Sequence, residues 1–227
     1  ESVNKQNFKL FIIQQCALFP PNIQIIEEGA FQGITDLFFA FGSDVLEIRE
    51  SAFSNCVRLQ KAIFNKVALI SDFAFYYCHQ MESFYAPQCR KCLSNAFSHC
   101  ISLKNISIAP KILEPSVFCC CQMKYLSLPS VTEVRQYALY DSKIEVLKLE
   151  NCFIFDQKSF ANRYLELQIE TSGNPQNCQI VKNVVDPNLR SLQLKSIQNN
   201  LIFAISKNLK KKLEVIRDIW DIRAVSV

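Results

Sequence analysis

Ala52-Phe53-Ser54-Asn55-Cys56, Ala74-Phe75-Tyr76-Tyr77-Cys78 and Ala96-Phe97-Ser98-His99-Cys100 are one five-residue phrase repeated at a spacing of 22 residues. The phase extends in both directions. Ala30-Phe31 precedes by 22, and Val117-Phe118, Ala138-Leu139 and Ser159-Phe160 follow at steps of 21. A fixed period of this length marks a solenoid, in which each coil buries its apolar side only by stacking on its neighbours. Local propensity is therefore subordinate to phase in everything that follows.

Two apolar columns keep step with the phrase. Seven residues before each Ala-Phe slot stand Ile23, Val45, Val67, Cys89, Pro110, Val131 and Cys152; four before it stand Ile26, Ile48, Ile70, Cys92, Leu113, Val134 and Phe155. Columns that persist through so many coils are core. The residues between the second column and the slot are polar, as in Arg49-Glu50-Ser51 and Ser71-Asp72. Ser and Asp at that place suit the start of one short helical turn.

Each slot is followed by a unit of the form Leu-x-x-Leu-x-Leu. Its apolar positions are Leu59, Ala62 and Phe64, then Met81, Phe84 and Ala86, Leu103, Ile106 and Ile108, Met123, Leu126 and Leu128, and Ile144, Leu147 and Leu149. Alternation at period two predicts a strand with one face buried. Pro87, Pro110 and Pro129 sit at or just past the ends of these strands, where a missing N–H breaks no ladder. Because the chain advances by one coil at a time in one direction, strands from successive coils stack in parallel.

Composition narrows the class. Of 227 residues, 49% are hydrophobic, which excludes disorder as a description of the whole. A net charge of +4, dispersed along the chain, does not suggest a nucleic-acid partner. No apolar run reaches the ~18 residues that a spanning helix needs, so no membrane insertion is expected. Glu1-Ser2-Val3-Asn4 lacks the basic and apolar regions of a signal peptide. The expectation is either an intracellular protein or a mature segment of a longer one.

The repeats resemble the leucine-rich repeat superfamily, and within it the subclass named after the bacterial surface antigen BspA. That subclass combines Leu-x-x-Leu-x-Leu strands with a turn reading Ala-Phe-x-x-Cys. The phrases ending at Cys56, Cys78 and Cys100 match the turn in full, and Val117-Phe118-Cys119-Cys120-Cys121 matches with one substitution. The resemblance covers about Ile23 to Ile169; positions such as Arg49 and Glu114 depart from the small residue often seen three before the Ala. It implies an α/β repeat solenoid, a leucine-rich-repeat horseshoe with a concave parallel β-sheet and short convex helical turns. It further implies a non-enzymatic recognition or adhesion module at the cell surface or outside the cell. An intracellular scaffold of the same fold is the alternative.

The division expected from the pattern is an N-terminal cap over 1–22, regular repeats over 23–170, and irregular repeats with a C-terminal cap over 171–227. Phe8 to Ile13 with Cys16, Leu18 and Phe19 supply apolar cover for the open end, and Pro20-Pro21 stops it. Thr171-Ser172-Gly173-Asn174-Pro175 marks a loop, after which the Ala-Phe slot is lost.

Eleven cysteines and two histidines invite metal or catalytic readings. By spacing alone, Cys78, Cys89, Cys92 and Cys100 suffice for a tetrahedral zinc ion. Phase argues otherwise. Cys78 and Cys100 share a column with Cys56 and Cys121, while Cys89 and Cys92 occupy the two apolar columns, so a ladder of small buried thiols accounts for all six. Cys119 and Cys120 are the cysteines expected at the surface. His79 and His99 adjoin the structural turn, and a Cys–His nucleophile needs a base aimed at an exposed thiol. The expectation is neither catalysis, metal nor cofactor. The sequon Asn105-Ile106-Ser107 falls inside a predicted strand, a position that argues against its modification.

The concave strands carry the better site. Their outward positions form the column Phe41, Ile63, Tyr85, Ser107, Ser127 and Lys148, flanked by Phe39, Lys61, Ser83, Asn105, Tyr125 and Val146. Tyr and Phe offer large contact area for little side-chain entropy. The candidate ligand-binding set is Phe41, Ile63, Tyr85, Ser107, Tyr125, Ser127 and Lys148, facing a protein or a glycan.

Overall fold

The computed structural model describes residues 1–152, 154–160 and the strand 168–170; the expected C-terminal cap over 171–227 lies outside the described residues. The described chain is a parallel-strand solenoid built from two ladders. One is made of two-residue strands, beginning Ser2–Val3, Ile25–Ile26, Glu47–Ile48, Leu69–Ile70 and Lys91–Cys92. The other is made of longer strands, Cys16–Phe19, Phe39–Gly42, Lys61–Phe64, Ser83–Tyr85 and Asn105–Ser107. Registers step by one coil, for example Ala40↔Ala62↔Phe84 and Ile26↔Ile48↔Ile70. The residues 1–22 contribute a rung to each ladder, and Ile12–Ile13 pairs antiparallel with Cys16–Phe19 on the outer edge.

The core follows the phase. Val45, Ile48, Ala52, Phe53, Cys56, Leu59, Ala62 and Phe64 are all fully buried, and the same positions are buried in the next coil, while Ile106, Phe155 and Phe160 further along are partly buried against the core. At the centre the Ala-Phe phenylalanines form a stack. Phe31, Phe53, Phe75 and Phe97 lie 5.0, 5.1 and 5.3 Å apart with planes within 7° of parallel, and Phe118 continues at 5.8 Å. Offset stacking at the spacing of the coils lets one ring per turn fill the interior.

The expected helical turns are absent at the repeating turn, and the hydrogen bonds say why. Ala52, Ser54 and Cys56 donate to carbonyls three residues back within their own coil, Arg49, Ser51 and Phe53; the alternate residues Ser51, Phe53 and Asn55 donate instead to Asp72, Ala74 and Tyr76 in the next coil. A helix sends every N–H along its own axis. Here every second N–H leaves the coil, so the segment is a run of tight turns and the turns themselves form a third ladder. Among the described residues the only helical segments are two single 3-10 turns, Phe8–Phe11 and Gln157–Phe160.

The turn ladder requires two left-handed residues in each coil. They are Gly29 and Gly33, then Ser51 and Asn55, Phe73 and Tyr77, Asn95 and His99, Ser116 and Cys120, and Tyr137 and Asp141. Left-handed backbone costs a residue with a Cβ roughly 1–2 kcal/mol. Asn, Asp and His tolerate it best, and they hold three places in the second column.

Both strand ladders break at one join. The short strands restart at Ile112–Leu113 without pairing to Lys91–Cys92, and the long strands restart at Tyr125–Ser127 without pairing to Asn105–Ser107. This is where the repeat shortens from 22 to 21. It is also where Pro110 enters the column of Cys89 and Val131, whose N–H groups close a corner onto Ala86 and Leu128. Proline has no N–H to close it. The turn ladder is continuous across the same join: Asn95, Phe97 and His99 donate to Pro115, Val117 and Cys119 at 3.1, 3.0 and 2.8 Å.

Candidate functional site

The long-strand ladder buries alternate residues, such as Ala62 and Phe64, and turns Lys61 and Ile63 outward. Pairing then aligns the outward residues into two straight rows. Leu18, Phe41, Ile63, Tyr85 and Ser107 are Cα partners in sequence across five strands. Cys16, Phe39, Lys61, Ser83 and Asn105 form the parallel row. Beyond the break, Tyr125↔Val146 and Ser127↔Lys148 resume the pattern. The seven candidates thus take outward strand positions in two separate sheets, Phe41, Ile63, Tyr85 and Ser107 in the first and Tyr125, Ser127 and Lys148 in the second.

Strands in such a ladder are ~4.8 Å apart, so the partly exposed Leu18, Phe41, Ile63 and Tyr85 make a continuous apolar strip that ends in Ser107. Tyr125 is the most open aromatic of the set, at 40% exposure. Asn105 is exposed as well. Polar flanks complete the surface, with Arg58 seated 4.5 Å over the Phe38 ring at its margin.

The cysteine column has a structural task. The thiols of Cys56, Cys78, Cys100 and Cys121 each donate to the backbone carbonyl of the stacked phenylalanine in the preceding coil, Phe31, Phe53, Phe75 and Phe97, at 3.0–3.2 Å. Burial pushes the Cys56 thiol up to about 12 and those of Cys78, Cys100 and Cys121 well above the ordinary value, which holds them as donors and leaves them poor nucleophiles. Cys89 and Cys92 are buried in their separate apolar columns. Among the described residues, no three His, Cys, Asp or Glu side chains converge as a metal ion would require.

The turn face carries a cluster that alternation on the strands did not foretell. Tyr77 stacks on His99 of the next coil at 4.4 Å and 16°, meets His79 edge-on at 5.1 Å, and is crossed by Tyr76 at 4.4 Å. Ser98 Oγ lies 2.9 Å from His99 Nδ1. Burial first, and then the neighbouring His79, push the His99 imidazole below its ordinary value. Both imidazoles are packed in aromatic contacts, while the sequence neighbour Cys100 faces inward onto Phe75, so His99 and Cys100 form no couple. The signal available in the sequence was the second left-handed column, where Asn55, Tyr77, His99, Cys120 and Asp141 recur in phase.

Comparison with known proteins agrees with this geometry. The chain matches the BspA type leucine rich repeat region in six copies, over residues 1–114 and 94–210. No curated protein matches it. Among solved structures it is similar to a leucine-rich repeat protein from Bacteroides ovatus ATCC 8483, at 19% identity over 75% of this chain and 60% of that one, with a TM-score of 0.36. It is also similar to a leucine rich cell surface protein from Faecalibacterium prausnitzii A2-165, at 13% identity over 76% of this chain and 65% of that one, with a TM-score of 0.37. The chain therefore spans less than two thirds of either of those proteins. With the family's repeat matched over most of the sequence and its Ala-Phe-x-x-Cys turn supplying both the stacked rings and the thiol ladder, this chain belongs to the BspA-type leucine-rich-repeat family.

Proposed function

We infer that the protein is a non-enzymatic recognition module that holds a protein or glycan on the outward face of its long-strand ladder. The observation that carries this reading is the in-register row Leu18, Phe41, Ile63 and Tyr85, an apolar strip left partly open on a surface flanked by Ser83, Asn105 and Lys61. Apolar and aromatic side chains aligned on a rigid sheet give contact area with little entropy to lose on binding. Family membership supports a binding role, because proteins built on this repeat are generally interaction or surface modules. In this reading the ladder is the concave side of a horseshoe, residues 1–22 cap it, and the module works at the cell surface or outside the cell.

The test is an array of glycans and matrix proteins probed with the full chain and with Ile63→Asp. A ligand captured by the wild type and lost from a folded Ile63→Asp variant supports the reading. Capture that is indifferent to Ile63→Asp, Tyr85→Ala and Tyr125→Ala moves the site to another face. The thiol ladder favours one competing reading, an intracellular scaffold using the same face, since its S–H donors are needed in reduced form. Locating the native protein in fractionated cells separates the two.

A further inference from the structure

Cys119 and Cys120 differ from the buried Cys121 of their repeat. Both are partly exposed, and their sulfurs lie 3.5 Å apart on adjacent residues of one turn. The carbonyl of Cys119 accepts from His99 N–H of the preceding coil at 2.8 Å, and the N–H of Cys120 donates to Tyr140 of the following coil at 2.8 Å. The one peptide group that links the two thiols is thus a rung of the turn ladder on both sides. It lies at the join where both strand ladders are interrupted and which the turn ladder crosses unbroken.

The geometry points to a redox-sensitive joint: a hydroperoxide converts Cys119 and Cys120 to a vicinal disulfide, and the ring so formed loosens the turn ladder between the coils of Phe97 and Phe118. The Cys119 sulfur attacks the peroxide O–O bond, taking one oxygen as a sulfenic acid and releasing water, or an alcohol from an organic peroxide. The Cys120 sulfur then displaces that oxygen as a second water, its proton passing by way of Asp141, whose Oδ2 stands 3.9 Å from it. Two thiols are oxidised by two electrons and one peroxide is reduced. Burial, the bond to Cys119 and the charge of Asp141 raise the Cys120 thiol, so Cys120 keeps its proton until Asp141 can take it in the second step.

The mechanical consequence follows from the ring size. A disulfide between adjacent residues encloses their peptide group in an eight-membered ring, which bends that peptide away from its relaxed trans plane. Both of its hydrogen bonds then lose alignment. Oxidation of the buried ladder thiols has no such route, because their sulfurs point onto carbonyls inside the stack.

The test uses the full chain, reduced and then exposed to hydrogen peroxide. Peptide mapping is expected to show the loss of two hydrogens at Cys119–Cys120, and hydrogen exchange at the His99 and Cys120 amides is expected to quicken tenfold or more. Cys119→Ser should remove both effects, and Asp141→Asn should raise the fraction of Cys119 trapped by dimedone as sulfenic acid. A disulfide to Cys121, to another cysteine or between chains overturns the proposal, as does no disulfide once sulfenic acid has formed. A vicinal disulfide with unchanged exchange at both amides overturns the joint. The wild-type map decides the first question even where a variant fails to fold.

Discussion

The Cys78 thiol donates to the backbone carbonyl of Phe53, 3.2 Å away in the preceding coil, while the same carbonyl accepts the Cys56 N–H at 3.1 Å from within its own turn. Two donors on one carbonyl satisfy both of its lone pairs, and one of them ties coil to coil. A cysteine in this column is therefore a fastener. It is small enough for the interior, and its long C–S bond reaches a carbonyl that a shorter side chain does not.

Removing the fastener should be costly. Cys78→Ala deletes the S–H donor and leaves a small cavity, for an expected loss of about 1–3 kcal/mol. Urea unfolding, read as a lower midpoint at unchanged slope, checks this. An unchanged midpoint would show that the thiol contributes no net stability.

Nature supplies the converse case in Ser142, which takes the cysteine place after Ala138-Leu139. It is buried, and its hydroxyl has no hydrogen-bond partner. A buried hydroxyl without a partner costs ~1–3 kcal/mol. Ser142→Cys should extend the ladder to the Phe118 carbonyl and stabilise the protein by about 1 kcal/mol. A melting temperature that falls on this substitution would contradict the assignment.

Stability should decline in alkali. Burial raises the folded-state values of Cys56, Cys78, Cys89, Cys92, Cys100 and Cys121. Below the ordinary thiol value of 9.0 both states keep their protons and the full stability is present. Above it the unfolded chain releases protons that the folded chain retains, so stability falls with rising pH, by up to ~1.4 kcal/mol per pH unit for each such thiol. The stability difference between wild type and Cys78→Ala should accordingly narrow from pH 9 upward, which denaturant titrations at pH 8, 9 and 10 measure.

Phe75 lies fully buried between Phe53 at 5.1 Å and Phe97 at 5.3 Å. Phe75→Ala opens a gap that rings on either side cannot fill without breaking their own stack, and should cost about 3–5 kcal/mol. Phe75→Leu should cost less, since Leu139 already serves at the same place in its coil. Thermal unfolding of the two variants gives the order.

Tyr85→Ala combined with Tyr125→Ala tests the outward face in isolation. Neither side chain belongs to the buried core, so the melting temperature should move by no more than a surface substitution does, within about 0.5 kcal/mol for each. Binding of whatever ligand the wild type captures should be lost. A collapse in stability would mean that the two rings pack into the protein instead of presenting a surface.

The coil, its parallel stacking and its core were legible in the chain itself. Burial repeats with the coil, and a periodic requirement on apolar side chains is a one-dimensional statement, so Val45, Ile48, Phe53 and Leu59 announce their places by phase. Alternation at period two likewise placed Phe41, Ile63, Tyr85 and Lys148 on the outward side of the strands. Four features depended on the folded chain. They are the turns that replace the expected helices, the left-handed pairs such as Phe73 and Tyr77, the carbonyl that each ladder thiol meets, and the break at Pro110. Each is settled by a hydrogen bond between residues 20 to 25 apart in sequence, or by its loss, and only the stacking of one coil on the next fixes those distances.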